Sequence, residues 1–165
     1  MAAIAVGHAA HHMRQIVHCD IKTRNILVTS SGSLQLADFG SAGQVNEMRS
    51  AREVYTYPYR AHECVCNPDR RVALTYAMDV WAAAVCLFEM LLREPDGSVY
   101  LTSGVIDSSG SYCKSWNLPK FRELIPARCR KRCNDYEPLI NMLLQCIVEP
   151  VERPSVTDLC VLLSS

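Results

Sequence analysis

The stretch His18-Cys19-Asp20-Ile21-Lys22-Thr23-Arg24-Asn25 and the later triplet Asp38-Phe39-Gly40 hold the residue types that phosphoryl transfer to a hydroxyl requires. Asp20 suits the acceptance or orientation of a hydroxyl proton. Lys22, close behind it, suits contact with the transferred phosphate. Asn25 offers a neutral oxygen and Asp38 a charged one, and Mg²⁺ prefers such hard oxygen donors while keeping several waters. Either tripeptide alone is common by chance, so the value of the set lies in its order and in what joins it.

Two short apolar runs, Ile26-Leu27-Val28 and Leu34-Gln35-Leu36-Ala37, flank Thr29-Ser30-Ser31-Gly32-Ser33, a hairpin signal with glycine in the turn. The hairpin folds Asn25 and Asp38 back toward each other, as two ligands of one cation must be. Upstream, residues 3–14 read as an Ala-rich helix leading into a short strand at Ile16-Val17, with His8, His11 and His12 as surface or packed histidines. From Ser41 to about Thr56 the chain is polar and aperiodic and reads as a mobile loop.

Apolar residues at Val80, Ala84, Leu87 and Leu91, and again at Trp81, Val85, Phe88 and Leu92, make two adjacent stripes, which predicts a helix over Ala77–Leu92 buried on most sides. Residues 94–116 are rich in turn formers and read as an exposed connection. Shorter helices are expected at Leu118–Ile125 and Tyr136–Ile147, with the basic cluster Arg128, Arg130, Lys131, Arg132 before the second as a solvated face. A last helix should start after Arg153-Pro154-Ser155, with Ser155 as N-cap and Asp158 as its capping-box partner.

The 165 residues suit one domain, and 49% hydrophobic content is enough for an ordinary core. Seventeen basic and seventeen acidic side chains cancel, so no global field draws in nucleic acid or an anionic membrane. The apolar run Val80–Phe88 is well short of the roughly 18 residues that a membrane span needs. Nine scattered cysteines fit reduced thiols in the cytoplasm or nucleus better than a disulfide framework. His62, Cys64 and Cys66, or Cys129 and Cys133, are poorly spaced for a structural zinc site.

Taken together and in order, the two opening motifs resemble the catalytic loop and the metal-binding loop of the eukaryotic protein kinases. Thr56-Tyr57-Pro58-Tyr59-Arg60-Ala61-His62-Glu63 resembles the end of that family's activation segment. The resemblance implies that Asp20 is the catalytic base, that Lys22 and Thr56 assist it, that Lys22, Asn25 and Asp38 bind ATP, and that Asn25 and Asp38 hold Mg²⁺. It also implies a structural pair between Glu63 and Arg153, and a role for Asp79 in holding the catalytic-loop backbone. Lys22 with Thr56 is the serine/threonine pattern, so the expected activity is transfer of the ATP γ-phosphate to Ser/Thr hydroxyls of a protein substrate. Tyr59-Arg60-Ala61 is similar to the cyclin-dependent and MAP-kinase-like branch, from which Pro58 and His62 depart.

Two departures shape the remaining expectations. Cys19 stands where the family has an arginine that pairs with a phosphate on the activation segment, so phosphorylation of Ser50, Tyr55 or a neighbour is not expected to be the on-switch. No Gly-x-Gly-x-x-Gly is present, and Lys22, Lys114, Lys120 and Lys131 all lie at or beyond the catalytic loop. The fold expected over residues 1–165 is therefore mainly α, a kinase C-terminal lobe only: a helical bundle with one short β-hairpin carrying the two loops, the N-terminal lobe absent. Such a chain would bind ATP weakly alone and would need a regulatory protein or a separate N-terminal lobe. The alternative is a truncated pseudokinase lobe acting as a non-catalytic binding or regulatory module.

Overall fold

The computed structural model describes residues 15–65, 69–92, 118–132, 136–155 and 157–158. The histidine-bearing helix expected at 3–14 and the connection at 94–116 lie outside the described residues. Six short strands are present among the described residues. β1 (Ile16–Val17), β2 (Ile26–Val28), β3 (Leu34–Leu36), β4 (Gly43–Gln44), β5 (Met48–Ser50) and β6 (Arg71–Ala73) pair as three antiparallel two-stranded sheets, β1 with β4, β2 with β3 and β5 with β6. Helices α1 (His62–Val65), α2 (Tyr76–Leu92), α3 (Leu118–Arg132) and α4 (Glu137–Cys146) and 3₁₀ turns at Thr23–Asn25, Phe39–Ser41 and Pro150–Glu152 complete the described elements.

The expected fold, a kinase C-terminal lobe alone with its strands confined to one hairpin, is corrected. The chain has a strand-bearing N-terminal region, β1 to β6, followed by helices. Three of the six strands, β4, β5 and β6, escaped the sequence because each is two or three residues long, too short to show a period, and because β4 and β5 find their partners far along the chain. The supposed mobile loop 41–56 thus contains two paired strands. At its start Gly43 lies in close approach to the side-chain ends of Arg49, Glu47 and Leu74, each of which would have to shift to admit a Cβ. The hairpin does form, with Ile26 opposite Leu36 and Val28 opposite Leu34.

The two apolar stripes of α2 bury Val80, Trp81, Val85 and Phe88 at the centre of the core. α3 packs on it through Phe121, Ile125 and Cys129, spaced four apart on one face, with the Phe121 ring edge-on to Phe88 at 5.5 Å. This stripe explains why α3 continues past Pro126, where the sequence suggested a stop. The helix forfeits one backbone bond at the proline but keeps a continuous buried face. Arg122 on α3 donates to the carbonyls of Leu144 and Ile147 at the end of α4, and Arg130 makes a two-bond pair with Glu137 at its start. The capping box forms as expected, Ser155 N–H and hydroxyl donating to Asp158 and the Asp158 N–H to Ser155 Oγ.

Arg153 ties these parts together. It donates to both oxygens of Glu63 at 2.7 Å, to Ala77 O at the start of α2 and to Val148 O beyond α4, and lies over the Trp81 ring at 4.8 Å. Its side chain is 0% exposed, against 19% for Glu63. Removing the carboxylate charge leaves a buried guanidinium without its counter-ion. Glu63→Gln should therefore lower stability by about 3–5 kcal/mol, read as a fall in the urea midpoint at unchanged m-value, and Arg153→Lys should not preserve it because an ammonium cannot make the two parallel bonds.

Candidate active site

The catalytic-loop residues are positioned from below by α2. Asp79, in the first turn of that helix and 1% exposed, accepts the His18 N–H at 2.8 Å and the Cys19 N–H at 3.1 Å. A carboxylate can take two backbone donors only where the chain presents them on one side, and Cys19 does so with φ of 63°. The His18 ring reaches the other way. Its Nδ1 accepts the Asp20 N–H, which assigns the ring proton to Nε2, and Nε2 donates to Ala37 O at 3.1 Å. The same ring packs at a tilt of 56° against Phe39, 4.6 Å between centroids. His18 therefore bridges the loop carrying Asp20 and the loop carrying Asp38.

Asp20, Lys22 and Thr56 form a closed triangle. Lys22 Nζ donates to Asp20 Oδ2 at 2.6 Å and to Thr56 Oγ1 at 3.2 Å, and the Thr56 hydroxyl donates to Asp20 Oδ1 at 2.7 Å. The Thr56 N–H adds a longer bond to Oδ1, and Asn25 Nδ2 donates to the Asp20 carbonyl at 2.9 Å and to Oδ2 at 3.3 Å. Burial alone would push the Asp20 carboxyl up, but the bonds from Lys22 and Thr56 outweigh it and hold the group below its ordinary range.

Asn25 closes the 3₁₀ turn Thr23–Asn25, and the Ala37 N–H donates to its carbonyl, which extends the β2–β3 ladder by one step toward Asp38. Asp38 is left-handed (φ 62°) and its Oδ1 caps the next turn by accepting the Gly40 N–H at 3.3 Å. Among the described residues, Asn25 Oδ1 and Asp38 Oδ2 make no hydrogen bond or ion pair. Oxygen atoms of this kind on neighbouring backbone positions fit a Mg²⁺ that retains most of its waters. No three His, Cys, Asp or Glu side chains among the described residues stand close enough to form a metal cluster. Cys64 and Cys129 are buried and form no disulfide among the described residues, and Cys66 and Cys133 lie outside the described residues.

A profile described as the protein kinase domain matches residues 1–161. The chain belongs to the protein kinase family. The match runs through the strand-bearing and the helical parts alike, so the assignment to a C-terminal lobe alone does not stand. The chain is similar to serine/threonine-protein kinase dst2 of Dictyostelium discoideum (27% identity over 90% of this chain) and to mitogen-activated protein kinase kinase kinase 3 of Arabidopsis thaliana (31% over 94%). It is also similar to cyclin-dependent kinase 4 of Xenopus laevis, at 42% identity over 51% of the chain. It spans 12%, 23% and 25% of the lengths of these three kinases. Among the described residues, no helix is long and apolar enough to cross a membrane.

The sequence reading missed contacts from the segment around Thr56. Tyr59 donates its hydroxyl to Glu89 Oε2 on α2 at 2.5 Å, and since that uses its one proton, Thr23 donates to Tyr59 at 3.1 Å. Burial and the Glu89 bond push the Tyr59 hydroxyl up to about 12. A carboxylate at Glu89 between the apolar Phe88 and Met90 is the signal that could have suggested a polar contact on this helix. Cys19 is buried, donates to Val17 O at 3.5 Å, and burial followed by the Asp79 charge raises its thiol to about 12, which leaves it inert at neutral pH.

The ion pair predicts a pH response with a definite sign. A carboxylate whose folded-state pKa is depressed contributes stability that is present above its ordinary pKa and lost as pH falls through the depressed value. Lys22→Met removes two of the bonds, so the Asp20 carboxyl should titrate at higher pH than in the wild type. A ¹³C-carboxyl NMR titration showing no upward movement would count against the pair.

Proposed function

We propose that the chain is the catalytic part of a serine/threonine protein kinase, transferring the ATP γ-phosphate to Ser/Thr hydroxyls of a protein. The observation that carries this reading is the Asp20–Lys22–Thr56 triangle beside two oxygen donors without bonding partners among the described residues. Asp20 accepts a hydrogen bond from the substrate hydroxyl and takes its proton as the new O–P bond forms and the bond from the γ-phosphorus to the leaving oxygen of ADP breaks. Its depressed pKa keeps it ionised at neutral pH, so it is always free to orient the hydroxyl, and proton transfer is late. Lys22 lies within reach of both the carboxylate and the transferred phosphate, whose negative charge it offsets.

Asn25 and Asp38 are the residues that would hold Mg²⁺, which when bound neutralises charge on the phosphate oxygens. Thr56 holds Asp20 through its hydroxyl and its N–H and leaves the second carboxylate oxygen to Lys22 and Asn25. The serine/threonine assignment rests on Lys22 with Thr56 and is supported by the name of the similar dst2 kinase. The cysteines suit a reducing compartment, cytoplasm or nucleus. A second reading, a non-catalytic binding module of the same family, draws on Cys19, which removes a basic residue from the catalytic loop.

Phosphate transfer from radiolabelled ATP·Mg²⁺ to a mixture of basic and acidic carrier proteins separates the two. Wild-type transfer that falls by about 10²–10⁴ in Asp20→Asn, with Asn25→Ala raising the Mg²⁺ concentration needed, is the expected outcome. Transfer that is equal in both proteins would be a contaminant's, and absence of any transfer would leave the binding module standing.

A further inference from the structure

The segment that carries Thr56 has to be held against the catalytic loop, and Tyr55 stands where that happens. Tyr55 is buried and takes a left-handed backbone (φ 60°), which bulky side chains rarely adopt. Cys19, directly across from it, is left-handed as well (φ 63°). The two are bonded to each other, the Tyr55 N–H donating to Cys19 O at 2.9 Å. The Tyr55 hydroxyl then donates to Asp79 Oδ1 at 2.7 Å, the same oxygen that accepts the Cys19 N–H. Tyr55 thus grips Cys19 twice, once on its carbonyl and once through the carboxylate that holds its amide.

We propose that Tyr55 is a positioning residue, a built-in latch that seats Thr56 on Asp20 without any phosphate on the segment. This rests on the kinase reading above for its catalytic consequence, although the latch itself is a property of the fold. Strained backbone persists where surrounding bonds over-determine it, and here two strained residues meet at one carboxylate next to the candidate site. Burial, with the Asp79 charge second, raises the Tyr55 hydroxyl well above its ordinary value, so it stays a donor across the physiological range. Arg60 reinforces the same stretch by donating to the carbonyls of Arg52, Val54 and Tyr55. Because the hydroxyl is enclosed and already bonded, the latched state cannot also be a state modified on that oxygen.

Tyr55→Phe keeps the ring and removes only the latch bond. In the full chain, native-state hydrogen exchange at the amides of residues 55 and 56 should speed up by about 10- to 100-fold, while Ile140 in α4 keeps its protection. Equal acceleration at Ile140, or none at 55 and 56, would overturn the latch. If the variant does not fold, the wild type still decides: the amides of Tyr55 and Thr56 should open as one unit with protection equal within roughly threefold, below that of Ile140, and unequal protection would overturn the proposal. In an active chain Tyr55→Phe should lower kcat with KM unchanged; an inactive wild type would count against the kinase reading, and the exchange measurement would then decide the latch by itself.

Discussion

The buried carboxylate of Asp79 is the constraint on which the rest of the site depends. An unpaired charge at 1% exposure would be costly, and the amides of His18 and Cys19 and the hydroxyl of Tyr55 are among the groups that satisfy it. Hydrogen bonds to a charged group are each worth about 1.5–3 kcal/mol, so the carboxylate has enough leverage to hold a loop in backbone conformations it would not adopt alone. Its own position is not negotiable, because it leaves the first turn of α2, whose Trp81, Val85 and Phe88 fill the centre of the core. The order of dependence runs from packed helix to carboxylate, from carboxylate to loop backbone, and from loop backbone to Asp20.

Two kinds of oxygen then lie side by side. Those of Asp20 are held by Lys22, Thr56 and Asn25, which fix the orientation of the carboxylate and, through Lys22 and Thr56, depress its pKa. Asn25 Oδ1 and Asp38 Oδ2 have no such partners among the described residues, and an unsatisfied oxygen is what a hard cation takes. Asn25 serves both parts, since its amide N–H₂ bonds are spent on Asp20 and its oxygen remains. Asparagine fits here better than aspartate would, because a second carboxylate could not donate to Asp20 and would repel it.

What the sequence made legible was local. The β2–β3 hairpin, the doubly striped α2, the body of α4 and the Ser155–Asp158 box each follow from residues a few positions apart. The Glu63–Arg153 pair and the convergence of Lys22 and Thr56 on Asp20 are distant in sequence and were reachable through family resemblance alone. The β1–β4 and β5–β6 pairings were not legible, since two- and three-residue strands carry no period, and reading residues 41–56 as loop fed the mistaken view of a helical lobe by itself. The passage of α3 through Pro126 was hidden because a buried stripe outweighed a local breaker. Nothing in a tyrosine announces a left-handed backbone, and Tyr55 could be found only in three dimensions.

Left-handed non-glycine residues gather at this site, Cys19 and Tyr55 below Asp20 and Asp38 at the candidate cation position. Each such residue costs on the order of 1–3 kcal/mol, a large share of the roughly 5–15 kcal/mol by which a domain is stable. The strain is offset locally, by the Asp79 bonds for Cys19 and Tyr55 and by the Gly40 N–H for Asp38, rather than by the helical core. Local compensation has a consequence for dynamics. When one of these bonds opens, the strain it offset is released at once, so the two loops should open as a unit while α2 and α4 stay folded. A site built this way is rigid when closed and opens without unfolding the domain.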